Sequence, residues 1–265
     1  MAKTTDVTTA AKQTPAQIEE AAALALMVAD AGSGFEEASL DCFAIPFISV
    51  LQSGSPQCKK SDGAYIKGAE EGMFYDSVTN EVISGEEGIF VVPFYFAHRF
   101  IAWGLRESGG GFKGEFLPSD PIVKQTTRDK DGRDVINHLP DQQLVDTRVH
   151  YVLRMGADGF SPAVLSLSST QMKKSKQWMS RMQAMQIPTP NGPVPAPMAS
   201  HVWHLTTVPE SNDKGSWFGL KVGAPLLLLD AKAYAKANDL RKQVMAGKAG
   251  ASYETPVSSE EKDDF

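Results

Sequence analysis

The residues of this chain best placed to do chemistry are cations and aromatic rings at strand or helix spacing, and together they could grip a polyanion that carries flat rings. In the run from Ser216 to Val222, Trp217, Gly219 and Lys221 share one strand face while Phe218, Leu220 and Val222 share the other. From Leu144 to Met155, Arg148, His150 and Arg154 alternate with Val145, Thr147, Val149, Tyr151 and Leu153, with Val152 among the polar set. On the apolar run that begins at Ile89, Tyr95, Arg99 and Trp103 fall on one side. Between Gln171 and Ile187 stand Lys173, Lys174, Lys176 and Arg181, interleaved with Trp178 and without one acid. Cations neutralise phosphates along a groove, and rings stack on unpaired bases at roughly 1 to 3 kcal/mol per base, which is how single strands are held without sequence preference. The contact set expected on this basis is Arg99, Trp103, Arg148, His150, Arg154, Lys173, Lys174, Trp217 and Lys221. Competing roles exist. Tyr95 and Trp103 can fill the second face of a covered strand, Trp217 can pack on the last helix, and a helical charge stripe can simply be solvated.

Other chemistries lack their parts. Gly109 to Gly114 matches G-x-G-x-x-G, but Pro118 and Pro121 follow where a helix would have to start, so no helix N-terminus is available to a dinucleotide. His201 and His204, three apart on a strand, point to opposite sides, and no carboxylate or cysteine stands at metal spacing. No Walker loop, His-Glu-x-x-His or nucleophile elbow occurs, and Glu70-Glu71 and Glu86-Glu87 sit in turn-like sequence as solvated charges do. The expectation is a protein with no catalytic residues, no metal and no cofactor.

The end of the chain is a second informative feature. Glu260, Glu261, Asp263 and Asp264 precede Phe265, in a segment from Glu254 onward that carries −4. Such a run repels itself and stays solvated, serving either as a solubility tail or as an interaction tail in which carboxylates seek a basic groove and Phe265 supplies an apolar anchor. Charge elsewhere favours interaction. The formal charge of the whole chain is −6, yet residues 159 to 253 hold four acids and eleven bases. The field at a binding face, rather than the sum, decides whether a polyanion is attracted.

These residues need a scaffold. With 265 residues and 42% apolar content, the chain can bury one substantial core, or one core with a small appendage. Its apolar runs fall short of a membrane span, its first thirteen residues carry no signal-peptide core, and Cys42 and Cys58 read as reduced thiols, so a soluble cytoplasmic protein is expected. Thr14-Pro15 opens a helical stretch that Gly32-Ser33-Gly34 ends. Strand patterns follow at 45–51, in a hairpin at 73–83 with Asn80 near its turn, and in the longest β-type segment, 88–106. Residues 109–142 read as loop-rich, with a turn at Asp131-Gly132 flanked by Arg128, Lys130 and Arg133. Strands at 144–155 and 163–167, a helix from about 171, an extended Pro-rich loop at 188–197, strands at 200–208 and 216–222, and a helix at about 230–245 complete the order.

From residue 88 onward the order is strand, strand, strand, helix, strand, strand. That order, a basic ring-bearing surface and the ending Lys262-Asp263-Asp264-Phe265 resemble the phage-type single-stranded DNA-binding proteins. The resemblance is loose over 88–265 and close over the last five residues. It departs from the bacterial form in having no long linker before the tail and no Pro or apolar residue before Phe265. The resemblance implies a mainly β protein built on an OB-fold, a five-stranded Greek-key barrel. Residues 1–41 would form an acidic arm, 42–246 the binding domain and 247–265 a disordered tail. It also implies coating of single-stranded DNA in phage replication or recombination, and recruitment of a polymerase, helicase or primase through Glu260, Glu261, Asp263, Asp264 and Phe265, with a homo-oligomer as a further option. The rival readings are a structural or virion assembly protein and a nucleic-acid-processing enzyme.

Overall fold

In the computed structural model, residues 14–30, 33–38, 42–157, 159–213, 215–248, 250 and 253 are described. The chain divides into two units, Met1–Cys42 and Phe43–Phe265. The first contains helix α1 (Pro15–Ala29), on which Leu24, Leu26, Met27 and Val28 are each at least 60% exposed. No helix among the described residues is long and apolar enough to cross a membrane.

The second unit is mainly β, with antiparallel ladders. Strands β1 (Ile48–Val50), β2 (Phe74–Asp76) and β3 (Val82–Ile83) form a small sheet. The β2–β3 turn is closed by Asn80 at φ 57°, whose Oδ1 accepts from the Tyr75 hydroxyl at 2.8 Å. The main sheet is built around β4 (Ile89–Gly104). Residues 109–142, expected to be loop-rich, contain β5 (Phe112–Phe116), β6 (Thr126–Arg128) and β7 (Asp134–Ile136). They fold because Phe100, Phe116, Ile122, Val123 and Leu139 close around Ala102, Ile136 and Leu144 in a small core of their own. The longest strand is β8 (Leu139–Gly156) rather than β4, and β9 (Gly159–Ser168) returns along it.

A single 3₁₀ turn at Ser169–Gln171, with Ser169 at φ 50°, leads into α2 (Met172–Gln183). The Pro-rich segment carries a minimal hairpin, β10 (Gln186–Ile187) with β11 (Val194–Pro195), where an extended loop is expected from sequence. Then come β12 (His201–Asn212), β13 (Gly215–Leu227) and α3 (Ala231–Met245). Asp230 caps α3, its Oδ1 accepting from the amides of Lys232 and Ala233 at 2.8 and 2.9 Å.

The strands pair in the order β13-β12-β4-β8, with β9 on the free edge of β8. The closed five-stranded barrel expected from element order is not present: among the described residues no ladder joins β9 to β13. The segment around β1 takes up the intervening edge. Phe47 bridges Val164 in parallel, Val164 donates to the Pro46 carbonyl at 2.8 Å, and the Gln52 amide both accepts from and donates to the Phe218 backbone on β13, each at 2.9 Å.

The register of β4 on β8 shifts between Pro93 and Tyr95. Pro93 has no N–H to give the ladder, and a bulge there turns the alternation over. Val91 therefore faces inward before the bulge, as does Phe96 after it, and both sides of the strand are apolar. The inner face joins Val91, Val152, Ala163, Leu165 and Leu167 to Trp178, Met182, Trp203, Leu205 and Leu220 in the main core. The outer face buries Ala97, Val149, Tyr151 and Val164, and α3 packs on β4 with Ala233, Ala237 and Leu240 buried.

Candidate nucleic-acid interface

Helix α2 projects a cationic face because its opposite face, Ser175, Trp178 and Met182, is committed to the core. That leaves Lys173, Lys176 and Arg181 exposed and Lys174 half-buried. The helix packs beside β13. Between them runs an open groove of ≈ 630 Å³ with Lys174, Lys176, Arg181 and Lys221 on its walls and Leu220 and Val222 in its floor. Among the described residues no carboxylate lines it. Three of the sequence-expected residues, Lys173, Lys174 and Lys221, are thus brought to one region, and Trp217 stands further along the same strand.

Not all of that charge is free. The Lys174 ammonium donates to Glu210 Oε1, and the Trp217 indole N–H donates to Glu210 Oε2 at 3.0 Å. Burial alone would push Glu210 up, but the two donors together hold its carboxyl below the usual range. Lys174 is therefore a compensated charge, and Trp217 is half-buried with its edge fixed. Arg181 is anchored without losing its charge: it donates to the Val222 and Gly223 carbonyls, and its guanidinium lies 4.7 Å from the Trp203 ring centroid. Among the described residues, Lys173, Lys176 and Lys221 take part in no ion pair. Lys176 and Arg181, visible in the sequence as part of the helix stripe but left out of the expected contact set, belong to the groove more fully than Lys173.

The other expected residues lie elsewhere. Arg148, His150 and Arg154 do share a strand face, but it is the inner one, and the expectation that they point away from the apolar side is corrected. His150 is fully buried, stacked on Trp178 at 4.8 Å, with Nε2 at 2.7 Å from Ser175 Oγ; burial depresses its pKa to about 3, so it is a neutral core residue. Arg148 pairs with Asp146 at 3.2 Å, and Asp146 also takes His98 at 2.7 Å. Arg154 pairs with Glu81 at 2.8 Å, with Asp76 at 4.0 Å. Both arginines sit at the ends of the inner face, where the strand leaves the core and a carboxylate can reach them.

Arg99 and Trp103 lie on the outer face. Arg99 pairs with Glu115 on β5 at 2.5 Å. Trp103 meets the rings of Phe112 and Tyr253, both at 6.0 Å and near-perpendicular. Phe47, Phe112 and Tyr253 are aromatic partners that sequence reasoning missed, since they come from three distant parts of the chain. Phe218, expected in the core beside Leu220, is half-buried and lies over Gly72. His201 is buried against Ser200 Oγ at 2.7 Å, and His204 stacks on Phe90 at 4.4 Å. Among the described residues no group of acids, histidines and cysteines is placed to hold a metal. Glu260, Glu261, Asp263, Asp264 and Phe265 fall outside the described residues.

The groove can neutralise several successive phosphates from one side and offer an apolar floor to what they carry. No curated protein and no solved structure matches this chain. A family model described as Pam3 phage gp34-like protein matches residues 11–250, nearly its whole length, and the chain belongs to that family.

Proposed function

We propose that this phage gp34-like protein binds single-stranded DNA without catalysis, holding the backbone in the groove between α2 and β13 and serving phage DNA replication or recombination in the host cytoplasm. The observation that carries the reading is a groove walled by Lys174, Lys176, Arg181 and Lys221 and, among the described residues, lined by no carboxylate, in a chain whose formal charge is −6. The field at such a groove, rather than the net charge, governs attraction of a polyanion. The order of the long strands supports an OB-type scaffold: β4, β8, β9, α2, β12 and β13 come in that order, with only the short β5–β7 and β10–β11 between them, and β4 lies between β8 and β12. In this reading the acidic stretch from Glu254 competes with phosphate for the groove and engages replication proteins when DNA displaces it.

Titration with oligo-dT and with a duplex of equal length tests the proposal. Tighter binding of the single strand, lost on Lys176→Glu with Lys221→Glu, is expected; equal affinity for both forms, or retention after charge reversal, overturns it. A second reading, a structural or assembly protein, is favoured by the exposed Leu226 and Leu227 at the end of the groove strand, Leu229 just beyond it, and the exposed apolar residues of α1. It predicts stable multimers that ignore oligonucleotides.

A further inference from the structure

We propose that the slot formed by Phe47, Trp103, Phe112 and Ser166 on the outer face of the sheet is a second site, for an unstacked nucleobase, which the chain's own Tyr253 closes when DNA is absent. The proposal rests on the single-strand reading above. It starts from how Tyr253 is held. Its ring stacks on Phe112 at 5.6 Å and 18°, meets Phe47 at 4.8 Å, and stands edge-on to Trp103 at 6.0 Å. Its hydroxyl lies 3.2 Å from Ser166 Oγ. One flat ring with a polar edge thus sits among three others, the arrangement in which a base is gripped by stacking with one hydrogen bond on its rim.

The sequence around Tyr253 explains why this ring is an insert rather than part of the core. From Ala246 to Ser252 every residue except Lys248 is Ala, Gly or Ser, and Tyr253 is the one aromatic residue between Tyr234 and Phe265. No neighbouring large side chain helps to hold it. The walls, by contrast, belong to the folded body: Trp103 lies one residue before the end of β4, Phe112 begins β5, Ser166 lies on β9 and Phe47 is bridged to β9. They persist when Tyr253 leaves. Burial in the slot pushes the Tyr253 hydroxyl up to about 12, so it stays protonated there at any physiological pH.

Exchange of Tyr253 for a base replaces one stacked ring by another, so the slot by itself is close to balance. Charge tips it. Arg99, on the same strand side as Trp103 and close enough to the Tyr253 hydroxyl to act on it electrostatically, offers a cation to the phosphate of an entering base, and the Glu115 carboxylate that pairs with it would have to yield.

The test uses the full chain and three variants, Tyr253→Ala, Tyr253→Phe and Tyr253→Ala with Phe112→Ala, each checked by thermal melting, titrated with dT oligomers and photo-crosslinked to an oligomer carrying 5-iodouracil. Emptying the slot is expected to tighten dT binding by about tenfold, within the range of one stacked base, and to bring crosslinks onto Phe112 or Trp103. Tyr253→Phe stays near the parent, and the added Phe112→Ala cancels the gain. If Tyr253→Ala binds no more tightly and crosslinks map to the α2–β13 groove alone, the slot inference falls while single-strand binding stands. If Tyr253→Ala melts well below the parent and binds more weakly, Tyr253 is a core residue and the inference falls. If no variant binds dT, both readings fall.

Discussion

The groove between α2 and β13 makes a quantitative prediction about salt. Four of its neighbouring cations, Lys173, Lys176, Arg181 and Lys221, have no carboxylate partner among the described residues, whereas Lys174 is spent on Glu210. If each of the four neutralises one phosphate, counterion release from a single strand gives a slope of log K against log salt of about −0.7 per contact, hence about −2.8. Between 50 and 200 mM salt that is a loss of roughly 50-fold in affinity. Lys176→Ala with Lys221→Ala removes two contacts, so the slope should fall to about −1.4 and the loss over the same range to roughly sevenfold. Lys174→Ala should leave the slope almost unchanged, because its charge is already compensated, although it frees Glu210 to repel the strand. Fluorescence titration with dT oligomers at five salt concentrations reads all three slopes. A double variant with the parental slope would refute the assignment of phosphates to this groove, and a Lys174→Ala slope reduced as far as that of Lys176 or Lys221 would refute the compensation of Lys174 by Glu210.

Three other outcomes follow from the same geometry. Trp217→Ala should weaken dT binding by about 1 to 3 kcal/mol with little change in the urea midpoint, because a half-buried ring offers a stacking face but little core; a loss of stability without a loss of binding would exclude that role. Leu220→Ala should cost about 2 to 5 kcal/mol as a full core truncation, and Phe218→Ala roughly half of the 3 to 5 kcal/mol of a buried Phe, since half of its ring is already in water; reversed magnitudes would mean the strand register is off by one. His150 makes stability fall in acid. Between its unfolded pKa near 6.5 and its folded value of about 3, the unfolded chain binds a proton that the native one refuses, so lowering the pH from 6.5 to 4.5 should cost about 2 kcal/mol. His150→Gln should flatten that slope, and urea midpoints with the same pH dependence in both proteins would show that His150 does not titrate on unfolding.

The sequence by itself determined the parts whose cause is local. Alternation at 144–155 and 216–222 set β8 and β13, Thr14-Pro15 and Asp230 opened their helices, and the acid-free stripe of α2 announced a cationic surface, because period and capping depend on residues within one or two turns. Strand faces were legible as sets but not as inside or outside. His150, Arg148 and Arg154 do share a face, yet α2 covers its centre, and nothing in the strand's own pattern says which side a helix thirty residues later will take. A bulge at Pro93 inverts β4 for the same reason: a two-residue period cannot show where one extra residue is inserted. Which cations stay free was decided by tertiary contacts, Glu210 taking Lys174, Glu81 taking Arg154 and Glu115 taking Arg99 across distances that sequence spacing does not encode. The aromatic slot is the extreme case. Its rings come from residues 47, 103, 112 and 253, of which only Trp103 stands out in its own strand's pattern, and only the packing of Phe47 and Tyr253 against β4, β5 and β9 puts them in contact.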